Sequence, residues 1–175
     1  LVAAMNEFSA NGYDRTTIRG VARAAGVDPR LVHHYFEGKE SLFAAALDIP
    51  ADPHTIVDHI IGSDYNMIGE RLVQSFIAIW DSPQGRERFR TILVSTAASP
   101  EASRLIREFL TREVFGRVVR SLQVDQPELR ASLVASQMVG VAMARYVLRI
   151  EPLASVPSED LVRYVSPTIQ RYLTS

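Results

Sequence analysis

Proline placement constrains this chain more than anything else in it. Pro53, Pro83, Pro100, Pro127 and Pro157 each stand just before or at the start of a segment with helical apolar spacing. Proline costs least in the first turn of a helix, where its missing N–H has no partner to lose. Sustained apolar–polar alternation and Asn-Gly or Asp-Gly hairpin turns do not occur, so strands find no support. The spacing predicts an all-α chain, with later helices at about 54–62, 66–81, 84–98, 101–122, 127–150 and 158–173. Pro167 falls inside the last of these and is expected to kink it.

The first fifty residues divide into shorter segments. A first helix runs to about Asn11, with Val2, Met5 and Phe8 on one face and Gly12 as its stop. A second covers Thr17 to about Ala25, capped by Thr16 or Thr17, and buries Ile18, Val21 and Ala22. Gly26 takes a positive φ at little cost. Asp28 and Pro29 then read as the cap and first residue of a third helix, Pro29 to Tyr35. A fourth opens at Gly38-Lys39-Glu40-Ser41, with Leu42, Phe43, Ala46 and Leu47 apolar, and ends near Asp48. Residues 49–53 form a break, which predicts an N-terminal unit 1–48 and a larger helical unit 49–175.

Composition narrows the function classes. The chain is 47% hydrophobic and 22% charged, an ordinary globular balance. It has no cysteine, which excludes disulfide scaffolds, zinc ribbons, thiol catalysis and iron–sulfur clusters. No apolar run reaches the length of about eighteen residues that a membrane span needs, so no membrane partner is expected. Leu1 to Glu7 lack the basic start and long apolar core of an export signal, so the expected compartment is the cytoplasm. A net charge of −1 does not announce a nucleic-acid binder, but a local patch would suffice for one.

Residues 16–36 carry the most information on this point. Two short helices joined by Ala25-Gly26-Val27 have the form of a helix-turn-helix, whose second helix enters the major groove. Val32 and Phe36 fall on one side of that helix, while Arg30, His33 and His34 fall on another. Arginine pairs bidentately with guanine, and histidine donates to bases or phosphates. Tyr35, Thr16 and Thr17 carry hydroxyls suited to phosphate. The same spacing also fits an ordinary helical hairpin with a solvated polar face.

Gly12-Tyr13, Thr16-Thr17-Ile18, Val21-Ala22, Ala25-Gly26-Val27, Leu31-Val32-His33-His34-Tyr35-Phe36 and Lys39-Glu40-x-Leu42 together resemble the DNA-binding domain of TetR-family transcriptional regulators. The resemblance covers about residues 1–48. It implies that Arg19, Pro29, Arg30, Leu31, His33, His34 and Tyr35 face DNA, that Val32 and Phe36 are core, and that Lys39 contacts a phosphate. A helix N-terminus already favours an anion, and Lys39 adds a full charge. Two departures stand out. Arg30 and Leu31 replace residues that are often small in the family, so the base preference does not carry over. The basic arm usual before the first helix does not occur in this sequence. Over residues 1–48, five basic side chains stand against six acidic ones.

The larger unit resembles the family only in its length and helical spacing. A single reader contacts too little DNA for selective binding, so a homodimer on a palindrome is expected. The helix at 127–150 offers Leu133, Ser136, Gly140 and Ala144 for pairing. That at 158–173 offers Leu161, Val162, Val165, Ile169, Tyr172 and Leu173. The resemblance points to the same two helices. It also implies an unidentified small-molecule effector that releases the DNA. The candidate pocket residues are Phe76, Trp80, Phe89, Phe109 and Tyr146, with polarity from His59 and Gln137, and from Gln74 and Arg145. Coupling is expected through the fourth helix.

Catalytic signatures do not occur. There is no Gly-x-Ser-x-Gly, no phosphate loop, no dinucleotide fingerprint and no Glu-x-x-His. His54 and His59 are five apart, off the spacing for one helix face. No catalytic residue, metal or cofactor is therefore assigned. The expected function is a DNA-binding repressor. An all-α ligand-binding or adaptor protein, or an all-α enzyme with a buried pocket, remains as the alternative.

Overall fold

A computed structural model describes residues 1–49, 52–62 and 64–174, and only the backbone of Ala98. Within them the helices are α1 (Val2–Arg15), α2 (Ile18–Ala25), α3 (Pro29–Tyr35), α4 (Lys39–Ala46), α5 (Pro53–Ile61), α6 (Ile68–Trp80), α7 (Pro83–Ala98), α8 (Pro100–Phe109), α9 (Phe115–Ser121), α10 (Pro127–Ala142) and α11 (Ser158–Thr174). No strand occurs among the described residues. A 3-10 turn (Tyr65–Met67) leads into α6, and wide π turns follow α8 (Leu110–Val114) and α10 (Met143–Val147).

The start signals act as local physics requires. Asp28, Asp52, Ser82 and Ser99 each precede a helix-opening proline and accept a hydrogen bond from an N–H of the first turn. The stops are less regular. The segment expected at 101–122 is divided by the π turn at Leu110–Val114, and that expected at 127–150 leaves α-geometry after Ala142. Gly12 breaks α1 at φ 80°, but the chain resumes helical form to Arg15. Val2, expected on the buried face, is 78% exposed, and Ala4 joins Phe8 inside instead. α11 passes through Pro167 as one continuous element, with the proline on its exposed side. Within the expected break at 49–53, Pro50 and Ala51 lie outside the described residues.

Two large apolar cores result, beside a small cluster of Phe89, Ala142 and Tyr146. The larger joins α5, α6, α9, α10 and α11 around Ile68, Leu72, Val118, Val134, Met138 and Ile169. Gly69 permits the close crossing of α6 on α11: a Cβ there would stand 2.7 Å from the Ser166 carbonyl oxygen and the Gln170 amide nitrogen. Leu161, Ile169 and Leu173, expected for pairing between chains, are buried in this core. The smaller core packs Phe8, Tyr13, Val21, Val32 and Phe43 of α1–α4 against Leu105 and Phe109 of α8. The N-terminal helices therefore rest on α8 through side chains the two parts share.

Candidate nucleic-acid interface and cavity

The turn between α2 and α3 is fixed at both ends. Thr17 Oγ1 accepts from the Gly20 N–H at 3.0 Å and starts α2. Gly26, at φ 68° and ψ 30°, closes it in the left-handed region, and the Val27 N–H reaches back to the Ala22 carbonyl at 3.0 Å. Asp28 then accepts from the Arg30 N–H at 2.7 Å and starts α3. This geometry sends Val32 into the core at 8% exposure and half-buries Phe36 and Pro29. Arg30, Leu31, His33, His34 and Tyr35 all face solvent, as do Arg19 on α2 and its cap Thr17. Leu31 and Tyr35 are 47% and 70% exposed. The His34 ring stands edge-on to Tyr35, with centroids 5.1 Å apart.

Two expected phosphate contacts have other employment. Thr16 is 2% exposed, and its Oγ1 donates towards the carbonyls of Gly12 at 2.8 Å and Glu7 at 3.1 Å. It closes the end of α1 and is not available to a ligand. Lys39 Nζ donates to the carbonyls of Tyr13 at 2.8 Å and Asp14 at 3.2 Å, and lies 4.5 Å from the Tyr13 ring centroid. It caps the C-terminal end of α1, where the helix dipole favours a cation. Because Lys39 remains partly exposed, its charge still adds to the local potential.

A cavity of about 230 Å³ lies between α5, α6, α7, α8 and the π turn that follows α8. Phe76, Trp80, Phe89 and Phe109 line it, together with aliphatic residues such as Ile56, Leu72 and Ile92 that the sequence does not single out. His59, Gln137 and Tyr146 do not line it. His59 is exposed on α5 and Gln137 half-buried on α10. Tyr146 stands behind the wall, its ring 6.0 Å from Phe89 and 6.5 Å from Phe76. Burial first, and then the charge of Asp81, pushes its hydroxyl pKa up to about 12. Gln74 belongs instead to a groove between α6 and α11.

Arg145 is also withdrawn from the cavity. Its guanidinium reaches both carboxylate oxygens of Asp81, at 3.2 and 3.3 Å, and donates to the carbonyls of Leu153 and Val156. Ser158 and Arg86 also donate to Asp81, at 2.8 and 3.0 Å. Burial alone would raise the Asp81 pKa. The hydrogen bonds from Arg145 and Ser158 and the charges of Arg145 and Arg86 outweigh it and hold the group below the usual carboxylate range. This cluster ties the end of α6 to the start of α11.

The cavity and the N-terminal unit share a wall. Phe109 lines the cavity and also meets Phe43 and Tyr13 in the smaller core. Leu110 and Val114, at the two ends of the π turn, touch both as well. Between them, Arg112 pairs with Asp14 at the end of α1. α4 reaches the larger unit separately, through Glu40, which sits 2.5 Å from His54 of α5 and 3.5 Å from Arg117 of α9.

Residues 1–46 match the family described as "Bacterial regulatory proteins, tetR family". Residues 66–173 match "Tetracyclin repressor-like, C-terminal domain". The chain belongs to the tetR family. As a tetR-family protein it is a DNA-binding transcriptional regulator with an N-terminal helix-turn-helix. It is similar to the HTH-type transcriptional regulator BetI of Brucella canis, 27% identical over 148 residues that cover 76% of this chain and 69% of the relative. Among solved structures it is similar to a putative TetR-family transcriptional regulator of Mesorhizobium loti, at 20% identity and a TM-score of 0.50 over 98% of this chain and 92% of that one. It also matches a TetR-family regulator of Streptomyces coelicolor A3 at 32% identity and a TM-score of 0.47, over 99% and 92% of the two chains.

Proposed function

We propose that this tetR-family protein is a cytoplasmic, non-catalytic repressor. Two copies bind a palindromic operator and leave it when a small molecule fills the cavity. Residues 1–48 serve as reader and residues 49–175 as effector and pairing unit. The observation that carries the reading is the outward face of α3, with Arg30, His33 and His34 in solvent on a helix fixed by a capped turn. Arg30 and the histidines read base edges, while Thr17, Arg19, Pro29, Leu31 and Tyr35 lie along the backbone on either side.

Pairing draws support from α10 and α11. Leu129, Leu133, Ser136 and Gly140 form an exposed, small and apolar stripe on α10, and Tyr164 and Pro167 stand exposed on α11. Such a stripe gains by meeting a second copy of itself across a two-fold axis. The shared wall at Phe109 supports release: a molecule pressing on this ring also presses on the core beneath α3. A ligand shifts the equilibrium only if it prefers the arrangement whose readers are wrongly spaced. The test is a mobility shift with fragments of the DNA flanking the coding region. A discrete complex on one fragment, abolished by Arg30→Ala, supports the reading; equal binding to every fragment contradicts it.

A further inference from the structure

The cavity wall names the chemistry of its occupant. Among the described residues no ionisable side chain lines it, and its side-chain hydroxyls are those of Ser75 and Thr96. Thr96 spends its proton on the Ile92 carbonyl at 2.6 Å, which leaves Ser75 as the hydroxyl donor of the wall among the described residues. The nearby charges are engaged elsewhere: Asp81 holds Arg145, Arg86 and Ser158.

We propose that the cavity takes an uncharged, hydrocarbon-rich small molecule with one or two alcohol- or carbonyl-type groups, an inference that rests on reading the larger unit as an effector domain. An ion held against this apolar wall without a partner forfeits hydration and gains nothing in return, which disfavours carboxylates and phosphates. Aromatic faces do attract cations. Here they alternate with isoleucine and leucine, and no carboxylate shares the wall, so a quaternary ammonium is disfavoured as well. Size fits the same class. A dry cavity of about 150 Å³ accepts benzene, and this one measures about 230 Å³.

Trp80 is the sole tryptophan of the chain and stands on the wall, so its fluorescence reports occupancy directly. The experiment titrates the full chain with 1-octanol, octanoate and octyltrimethylammonium, which share a tail and differ in head group. The expected result is a saturable change in Trp80 emission with 1-octanol, at a dissociation constant about tenfold or more below those of both ions. Ser75→Phe, which fills the cavity, should abolish the change, while Thr96→Asp should favour the cation over the alcohol. An ion that binds as tightly as 1-octanol, the absence of any response, or a response that survives Ser75→Phe overturns the proposal. If the variants do not fold, the ranking of the three probes on the parent chain decides. Operator release is read separately. Binding of 1-octanol without release supports the ligand class and counts against the effector reading above.

Discussion

The ring of Phe109 lies 5.0 Å from that of Phe43 and is tilted 60° to it. One side chain is thus part of the cavity wall and part of the core that supports the helix-turn-helix. Phe109→Leu keeps the apolar volume largely filled but removes the ring contacts, at a cost of about 1 kcal/mol. Operator affinity without effector should change little. The ratio of affinities with and without effector should fall towards unity. Anisotropy titrations on labelled operator, with and without 1-octanol, measure both.

Thr16 tests the opposite assignment, a residue whose hydroxyl serves the fold alone. Thr16→Val preserves shape but leaves the Gly12 and Glu7 carbonyls without this donor. A loss of about 1–3 kcal/mol in denaturant unfolding is expected. DNA affinity per folded molecule should stay the same, and so should its salt dependence.

These two residues also mark what the sequence can and cannot disclose. Thr17, Asp28 and Pro29 act within a turn or so of themselves, so their roles are legible from neighbours alone, and with them the reader's fold and its outward face. Thr16 differs from Thr17 only in which carbonyls tertiary folding brings near it, one of them nine residues away. Lys39 likewise finds its partners at Tyr13 and Asp14, across three helix boundaries. The cavity was half legible. Aromatic residues announce apolar volume, but Arg145 leaves the wall because Asp81, sixty-four residues distant, offers it a carboxylate.

Arg30 and Lys39 should respond differently to truncation. Arg30→Ala should cost about 1–3 kcal/mol on the operator and relax selectivity at one base position. Lys39→Ala should weaken binding to all sequences alike and also lower the stability of the reader, because it uncaps α1. Competition binding with single-base operator variants, alongside thermal melts, separates the two.

Asp81 imposes a pH dependence with a definite sign. Its pKa is lower folded than unfolded, so its contribution is complete above the ordinary carboxylate range and is lost as acid protonates the folded group. Asp81→Asn leaves the guanidinium of Arg145 buried without its counter-charge. A cost of about 3–5 kcal/mol is expected at neutral pH. The gap between parent and variant should narrow as the pH falls below the carboxylate range. Urea unfolding across pH gives both quantities.

Pairing through α10 should fail when a charge is placed in its exposed stripe. Leu133 stands outside the buried cluster, so with Leu133→Glu the fold should persist while light scattering reports monomers. Operator affinity should drop by far more than Arg30→Ala causes, because each reader then binds alone.

The most direct measurement is a protection footprint of the full chain on its operator. Two protected half-sites about 34–36 Å apart, or a multiple of that, are expected, related by inverted sequence and both lost in Arg30→Ala. Protection of a single site, or of DNA without regard to sequence, would contradict a pair of α3 helices reading successive turns of one groove.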